Sequence, residues 1–595
     1  MKEFLQKIKK NITFEKVIVR LVMAWLLTTL VFFVKNSGSF ETPAYAANIN
    51  MPMYLCFVLL FFVFFCALGQ YKLFAWVETY GPMILVTVYG FLTVSSINDV
   101  TYLVGLLLVL AIAVGYAVSK TKVFIDIKKK STVYIIYGLA ACFYLTIAGG
   151  TVVLRYLNYA SPAFDFGIWV QMFHNMRTTL EPVTTVERER VLSHFAVHFS
   201  PIYYLFLPFY AIFPSPITLQ VLQVVTLASG LIPVCLLCKK FGLSKTATAA
   251  FGIIFALFPV LTTGCFYDLH ENCFLVPILL WLFYFIEKDK LKGIVIFSLL
   301  LLMVKEDAPL YLACVGLYMI FGKRKYACGT IVTAAAIGFF GIVMFIMQRF
   351  GLGVMTYRYD NFIAEEGGGL MDVVRNFVTN PAYALSQCFT GQKLEFLLYM
   401  FLPLGFMPLV TDKISKFILL LPMLVVNLAT DYKYQYSIFF QYAFGTLAIL
   451  FYLAISNYAE LSEKARRFMC SIAICGSIVI LPVCSLSKSY YIDSYRNSAE
   501  TRRILDDVVA SIPKDASVSA STFLVPHLAQ RTEVYEYPRL YGTKIETDYV
   551  IYDARYGELK EADRKELEDL GYVSVSEAEG VYELFMLDDD GIKSE

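Results

Sequence analysis

Of 595 residues, 58% are hydrophobic, 16% aromatic and only 16% charged, and the formal net charge is +2. That balance excludes a water-soluble globule, and near-neutrality gives no footing for nucleic acid as a partner. Runs of roughly 20 apolar residues recur from Val17 to Leu486, the length that crosses a bilayer core of about 30 Å. The chain therefore reads as a polytopic α-helical membrane protein.

In chain order, "MKEFLQKIKK" precedes the apolar run Val17–Val34, and "PAYA" ends at Ala46. The run is longer than a signal-peptide core and the small-residue site lies too far beyond it, so an uncleaved first span is expected. Further on, alternate short loops are rich in Lys and Arg: "KTKVFIDIKKK", "CKKFGLSK", "EKDKLKG", "GKRK", "DKISK" and "SEKARR". The loops between them, "SIND", "CFYDLHEN", "MVKEDA" and "TDYKYQ", are nearly free of cations. Because cations resist translocation, this alternation predicts a cytoplasmic N-terminus and about 15 spans. It holds only if Phe199–Phe213, which is short, aromatic and carries Pro201 and Pro208, lies on the outer surface as an interfacial helix.

Three regions follow from this reading: residues 1–131 with four spans, 132–488 as a membrane core, and 489–595 as a charged tail. The core carries long outer loops at 155–215 and 349–393. In the tail, "SAETRRILDDVVASIP" reads as helix, "ASVSAS" as strand, "FLVPHLAQR" as a short helix and "DYVIYDA" as strand. "ELKEADRKELEDLG" is then helix and "YVSVSEAEGVYELF" a hairpin. A C-terminal extracytoplasmic α/β domain is expected, with binding or positioning as its default role. Of the 13 cysteines, the pair Cys235 and Cys238 lies in an apolar helix without a partner pair at zinc spacing, which favours packing over metal or redox chemistry.

All five histidines (His174, His194, His198, His270 and His527) fall on the expected outer face. Four polar clusters share it: Asp165 in "FDFGIWVQ"; His194 and His198 in "HFAVHFSP"; Asp268, His270 and Glu271 in "FYDLHE"; and Lys305, Glu306 and Asp307 in "VKEDAP". A helical spacing of four would put His194 and His198 on one face, suited to a metal or a phosphate. Each cluster also has a plain reading, as a helix cap, headgroup-bonded imidazoles or a polar turn. Three successive charges between the short runs Gly293–Val304 and Ala308–Phe321 are harder to dismiss, and point to recessed helices around a cavity. Carboxylates with histidine can hold a divalent metal, Mg²⁺ or Mn²⁺, against a phosphate, and a carboxylate can deprotonate an acceptor hydroxyl. Arg177, Arg188 and Arg190 can counter phosphate charge or serve as solvated loop residues.

On "FDFGIWVQ", "HFAVHFSPIYYLFLPFYAIFPSPITLQVLQ", "FYDLHENCFLVP", "VKEDAPLYL" and "VPHLAQR", the chain resembles a family of bacterial and archaeal predicted membrane proteins classed as a domain of unknown function. That family is grouped with the GT-C superfamily of polytopic glycosyltransferases that use polyprenyl-phosphate-linked sugars. The resemblance covers roughly Thr132 to the C-terminus. It implies a GT-C-like core with Asp165 as catalytic base, and His194, His198, Asp268, His270 and Glu271 at donor phosphate or metal. Lys305, Glu306 and Asp307 would support them, and His527 would be the tail's contribution. Many GT-C members carry Asp-x-Asp in the first loop, whereas here Gly167 stands two after Asp165, which removes one carboxylate from any metal site there. "FSPIYYL" is similar to the proline-aromatic surface helix of the mannosyl and aminoarabinosyl transferases.

The function implied is transfer of a sugar from a lipid-linked donor to an envelope glycan or protein, at the outer face of the plasma membrane. A transporter or lipid flippase, or a non-catalytic envelope-assembly protein on the same scaffold, are the competing readings. "EEGGGL" (Glu365–Leu370) reads either as a lid or as a solvated loop.

Overall fold

The structure, a computed structural model, describes residues 13–36, 43–94, 100–119, 126–353, 356–363, 369–486, 488 and 490–588. Most of "EEGGGL" lies outside the described residues. The chain opens with helices α1 (Phe14–Asn36), α2 (Met51–Leu68), α3 (Phe74–Val94) and α4 (Val100–Ser119). Arg20 of α1 and Glu78 of α3 form a buried pair at 2.6 Å. Neither charge is tolerable alone at that depth, so each requires the other.

Helix α5 (Lys130–Leu157) contains a π-turn at Leu145–Gly149 and leads into the first long loop. That loop holds α6 (Ile168–Thr179) and a two-stranded hairpin of β1 (Val183–Thr184) and β2 (Leu192–Ser193). Next come a 3-10 segment at Pro201–Leu205 and a six-residue helix, α7 (Leu207–Ile212). At 1.5 Å per residue α7 reaches about 9 Å, far short of a bilayer core, and Phe209, Ile212 and Phe213 are exposed. The short, proline-led form expected for Phe199–Phe213 is what the structure contains.

Helices α8 (Pro216–Lys240), α9 (Lys245–Phe266), α10 (Leu275–Glu287), α11 (Leu291–Leu302), α12 (Ala308–Phe321) and α13 (Tyr326–Phe350) complete the middle of the chain. Among the described residues, α1, α2, α5, α8, α9 and α13 are long and apolar enough to cross a membrane. With 12 and 14 residues, α11 and α12 extend about 18 and 21 Å, short of a bilayer core of about 30 Å. Small residues bring α12 against α13: a Cβ on Gly329 would lie 2.8 Å from the Gly316 carbonyl oxygen. Helices α14 (Leu370–Thr379), α15 (Phe444–Tyr458) and α16 (Glu463–Leu486) follow.

The tail starts with a short helix at Tyr490–Asn497, continues through α17 (Ala499–Ser511) and folds as a five-stranded sheet of order β4-β3-β5-β7-β6. Its strands are β3 (Val518–Ala520), β4 (Val534–Glu536), β5 (Tyr549–Asp553), β6 (Tyr572–Ala578) and β7 (Tyr582–Leu587). β3 pairs in parallel with β4 and β5, whereas β7 runs antiparallel to β5 and β6. A four-residue helix, α18 (Val525–Leu528), joins β3 to β4, and α19 (Glu561–Asp569) joins β5 to β6. Strand period two divides the sheet's faces. Val550 joins Leu567 and Phe585 in a small core, while Ile551 joins Leu505, Val525 and the loop residues Tyr156, Phe166 and Trp169 in the main one. One face of the tail is thus completed by the first long loop.

Candidate active site

The turn "PAFDFG" sets the site. Asp165 has φ 74° and ψ −78°, a positive-φ γ-turn conformation that L-residues rarely adopt. Such strain costs roughly 1–3 kcal/mol and persists only where surrounding contacts over-determine it. The Tyr267 hydroxyl donates to Asp165 Oδ2 at 2.6 Å, and His270 Nε2 lies 3.5 Å from the same oxygen. Both contacts converge on Oδ2; the side chain is 21% exposed, and Oδ1 is free of both. Burial alone would raise this carboxyl, but His270 and Tyr267 outweigh it and hold it below its usual value. His270 Nδ1 donates to the Asp268 carbonyl oxygen at 3.0 Å, which orients Nε2 toward Asp165. Burial opposes its protonation; the Asp165 and Glu271 carboxylates prevail and raise it.

Asp268 points the other way. Its Oδ1 accepts from Ser161 Oγ at 2.8 Å and Gln220 Nε2 at 2.6 Å, and Oδ2 pairs with an Arg155 guanidinium nitrogen at 3.1 Å. Fully buried and committed on both oxygens, Asp268 ties α5, α8 and its own loop together. This corrects the expectation that it faces donor phosphate or metal.

Glu271 and the "KED" loop lie on the site side. Glu271 Oε1 pairs with Lys305 Nζ at 2.6 Å, and its Oε2 accepts from the Tyr203 hydroxyl at 2.7 Å. Glu306 Oε1 pairs with His198 Nδ1 at 2.8 Å, and its Oε2 accepts from the Phe199 amide at 3.2 Å. Despite burial, His198 holds the Glu306 carboxyl down at about 2. Asp307 behaves oppositely: burial raises it to about 6 despite Lys305, with Glu306 and Glu271 adding to the rise, and its Oδ1 is buried without a hydrogen bond.

Asp307, Glu306, Lys305 and Arg358 line one part of a cavity of about 540 Å³. Its remaining wall is mostly apolar, with Leu310 and Ala313 of α12, Ile337, Phe340 and Met344 of α13, and Val373 and Phe377 of α14. Asp165 does not line this cavity. Lys305 connects the two parts, through Glu271 to the His270–Asp165 pair.

His194 and His198 do not act as one pair. His194–Ala196 is a single 3-10 turn, and the His198 amide donates to the His194 carbonyl at 2.9 Å. Pro201 restricts the residue before it to extended backbone, so no helix can run on through Ser200. The rings lie 5.8 Å apart but serve different partners. His194 is wholly buried against the Trp169 ring, 3.6 Å from Glu187, whereas His198 holds Glu306. This corrects the shared metal or phosphate face expected from their spacing. His527 lies in α18, stacked between Tyr156 and Tyr159. Arg188 meets Tyr541 of the tail, which assigns that arginine to docking.

Sequence reasoning missed Arg358, Tyr267, Tyr203 and Tyr442. Arg358 lies over the rings of Tyr432 and Tyr442, at 4.9 and 5.4 Å, and Lys305 Nζ lies 5.8 Å from the Tyr442 ring. The available signal was an arginine inside the aromatic run "TYRYD" just after a span. Among the described residues no three His, Cys, Asp or Glu side chains group in metal-holding geometry. The carboxylates expected to hold a metal are neutralised by the chain's own cations, so the donor set does not fit one.

Apolar helices of membrane-crossing length, with a buried charged cluster in the loop between α11 and α12, define a multi-pass membrane protein with a candidate ligand site. The chain belongs to the family described as "Predicted membrane protein (DUF2079)", whose model matches residues 153–592. That bears out the resemblance to a family of unknown function. No curated protein matches the chain. Among solved structures, ArnT from Cupriavidus metallidurans, determined bound to undecaprenyl phosphate, aligns over 76% of this chain and 98% of its own. The identity is 9% and the TM-score 0.46.

Proposed function

We propose that this chain is a membrane glycosyltransferase of GT-C type, moving a sugar from a polyprenyl-phosphate donor to a cell-envelope acceptor on the outer face. The observation that carries the reading is the amphiphilic cavity: apolar walls for a lipid tail meet Lys305 and Arg358, cations suited to a phosphate. Asp165 would be the base. Its Oδ1 takes the proton of an acceptor hydroxyl while that oxygen attacks the anomeric carbon. The bond from carbon to phosphate oxygen breaks, its electron pair leaves with the phosphate, and configuration inverts. Lys305 and Arg358 counter the charge on the departing phosphate.

The same reading places the N-terminus in the cytoplasm, with about 15 spans, and the tail outside. Lysine-rich alternate loops support this. So does contact between the tail and the Asp165 turn, since Ala163 N donates to Thr522 Oγ1 at 3.2 Å and both must then share one side of the membrane. A lipid-phosphate transporter is the second reading, favoured by one observation: Asp165 is not on the cavity wall.

Deleting the gene in its native host and profiling lipid-linked sugars and envelope glycans by mass spectrometry tests the proposal. One polyprenyl-phosphate sugar is expected to accumulate as one glycan modification disappears. An unchanged profile overturns the reading.

A further inference from the structure

The strained Asp165 turn is not held by its neighbours in sequence alone. On one side, the amide of Ala163 donates to Thr522 Oγ1, and Gly167 packs so closely on Val525 that a Cβ there would lie 2.8 Å from Val525 Cγ1. Phe166, fully buried, meets Tyr156 edge-on with ring centroids 5.9 Å apart. Tyr156 in turn stacks on His527 at 4.2 Å, and Tyr159 stacks on the other side of His527 at 3.7 Å. His527 Nε2 donates to the Tyr156 carbonyl oxygen at 3.1 Å.

The approach to the turn is tied down as well. The Tyr159 hydroxyl donates to Asp506 Oδ1 at 2.6 Å, Arg555 donates to the Tyr159 carbonyl at 3.1 Å, and Asn158 donates to the Tyr491 carbonyl at 2.9 Å. Every one of these partners lies beyond residue 490. The hydrogen bonds and ring contacts bracket residues 158–167, and Asp165 is the residue inside the bracket with the least favourable backbone.

We infer that the C-terminal segment is a positioning element of the active site, in which Thr522, Val525 and His527 hold the strained turn so that Asp165 is aimed only while the tail is docked. The inference rests on the reading of Asp165 as the base. None of the three residues touches the reacting groups; they act through Ala163, Gly167 and Tyr156. Burial keeps the His527 imidazole far below its usual value, at about 3, so it holds its place as a neutral ring across physiological pH. An element that completes the site from a separate part of the chain also couples tail docking to turnover, because losing a few tail contacts releases the strain.

The test uses the full chain in nanodiscs, with two readouts. Hydrogen exchange of the peptide covering residues 160–168 reports the turn. Turnover is read as polyprenyl phosphate released from lipid-linked sugars extracted from the deletion strain. Thr522→Val removes the acceptor for Ala163, and exchange of that peptide is expected to quicken about tenfold while β3 and β5 stay protected. Turnover should fall about tenfold at saturating extract, with the half-saturating amount within twofold of wild type. Thr522→Ser, which keeps the hydroxyl, should restore both. His527→Phe retains the ring sandwich without the donor and should quicken exchange about threefold. Unchanged exchange in Thr522→Val overturns the inference, and so does faster exchange with wild-type turnover. If the wild-type chain turns over no extract, the reading of function falls, and exchange alone decides whether the tail holds the turn.

Discussion

Lys305 Nζ lies 2.6 Å from Glu271 Oε1, both side chains almost fully buried, and this pair joins the loop before α10 to the loop before α12. The lysine keeps its charge because the carboxylate outweighs the burial that opposes it. Removing one member leaves the other buried and uncompensated, which costs about 3–5 kcal/mol. Lys305→Met and Glu271→Gln should therefore each destabilise the protein strongly. The double variant should lose clearly less than the sum of the two. A double-mutant cycle by denaturant unfolding of detergent-purified protein measures this, and additive losses would contradict the pairing.

Asp307 gives the site a pH dependence with a defined sign. Its carboxyl is raised to about 6, so it is largely neutral at pH 5 and ionised at pH 8. Because the folded state holds this proton more tightly than the unfolded chain, the group's contribution to stability falls as pH rises from about 4 through 6. Ionised, it places a third carboxylate beside Lys305 and Arg358 and repels a phosphate. The apparent KM for a lipid-phosphate donor should rise between pH 5 and 8, and Asp307→Asn should flatten the rise. Glu306, held at about 2, stays ionised throughout and contributes no step of its own. A KM profile equally steep in Asp307→Asn assigns the dependence elsewhere.

Tyr267 tunes the proposed base. Its hydroxyl is one of the groups holding Asp165 below the usual carboxylate range, together with the larger effect of His270. In Tyr267→Phe the acid limb of kcat/KM should move to higher pH, and turnover at neutral pH should drop roughly tenfold. A loss of turnover without displacement of the limb would assign Tyr267 a packing role only.

Chelation is a further discriminator. Glu306 and Glu271 are already served by His198 and Lys305. Turnover should stay within twofold when the protein is assayed in excess EDTA. A loss restored by Mg²⁺ or Mn²⁺ would show that a metal displaces one of these internal pairs.

The polytopic architecture, the short broken form of the segment after Pro201 and most tail elements were legible in the sequence because each depends on local periodicity and proline placement. So was the gathering of Asp165, His270, Glu271 and Lys305, since ionisable residues at span ends carry their own signal. The role of Asp268 was not legible, because "DLHE" is silent on which carboxylate meets Arg155 and which meets Lys305. The His194–His198 spacing misled because it brings the two rings within 5.8 Å of each other without showing what each one meets, Glu187 for His194 and Glu306 for His198. Arg358, Tyr267 and Thr522 reach the site from distant loops, and nothing short of tertiary packing shows that the residue 359 positions after Ala163 accepts its amide proton. Strand β4 escaped notice because it is three residues long, at a sheet edge and close to Pro538.

The central claim is that Asp165 accepts a proton from an acceptor as a lipid-linked sugar is transferred. The direct measurement is complementation of the deletion strain with wild type or Asp165→Asn, both confirmed at equal membrane levels, followed by mass-spectrometric profiling of lipid-linked sugars and envelope glycans. The account predicts that wild type restores the profile, while the Asn variant accumulates the polyprenyl-phosphate sugar and lacks the same glycan modification as the deletion. Full restoration by Asp165→Asn would contradict it and shift the weight to lipid-phosphate transport.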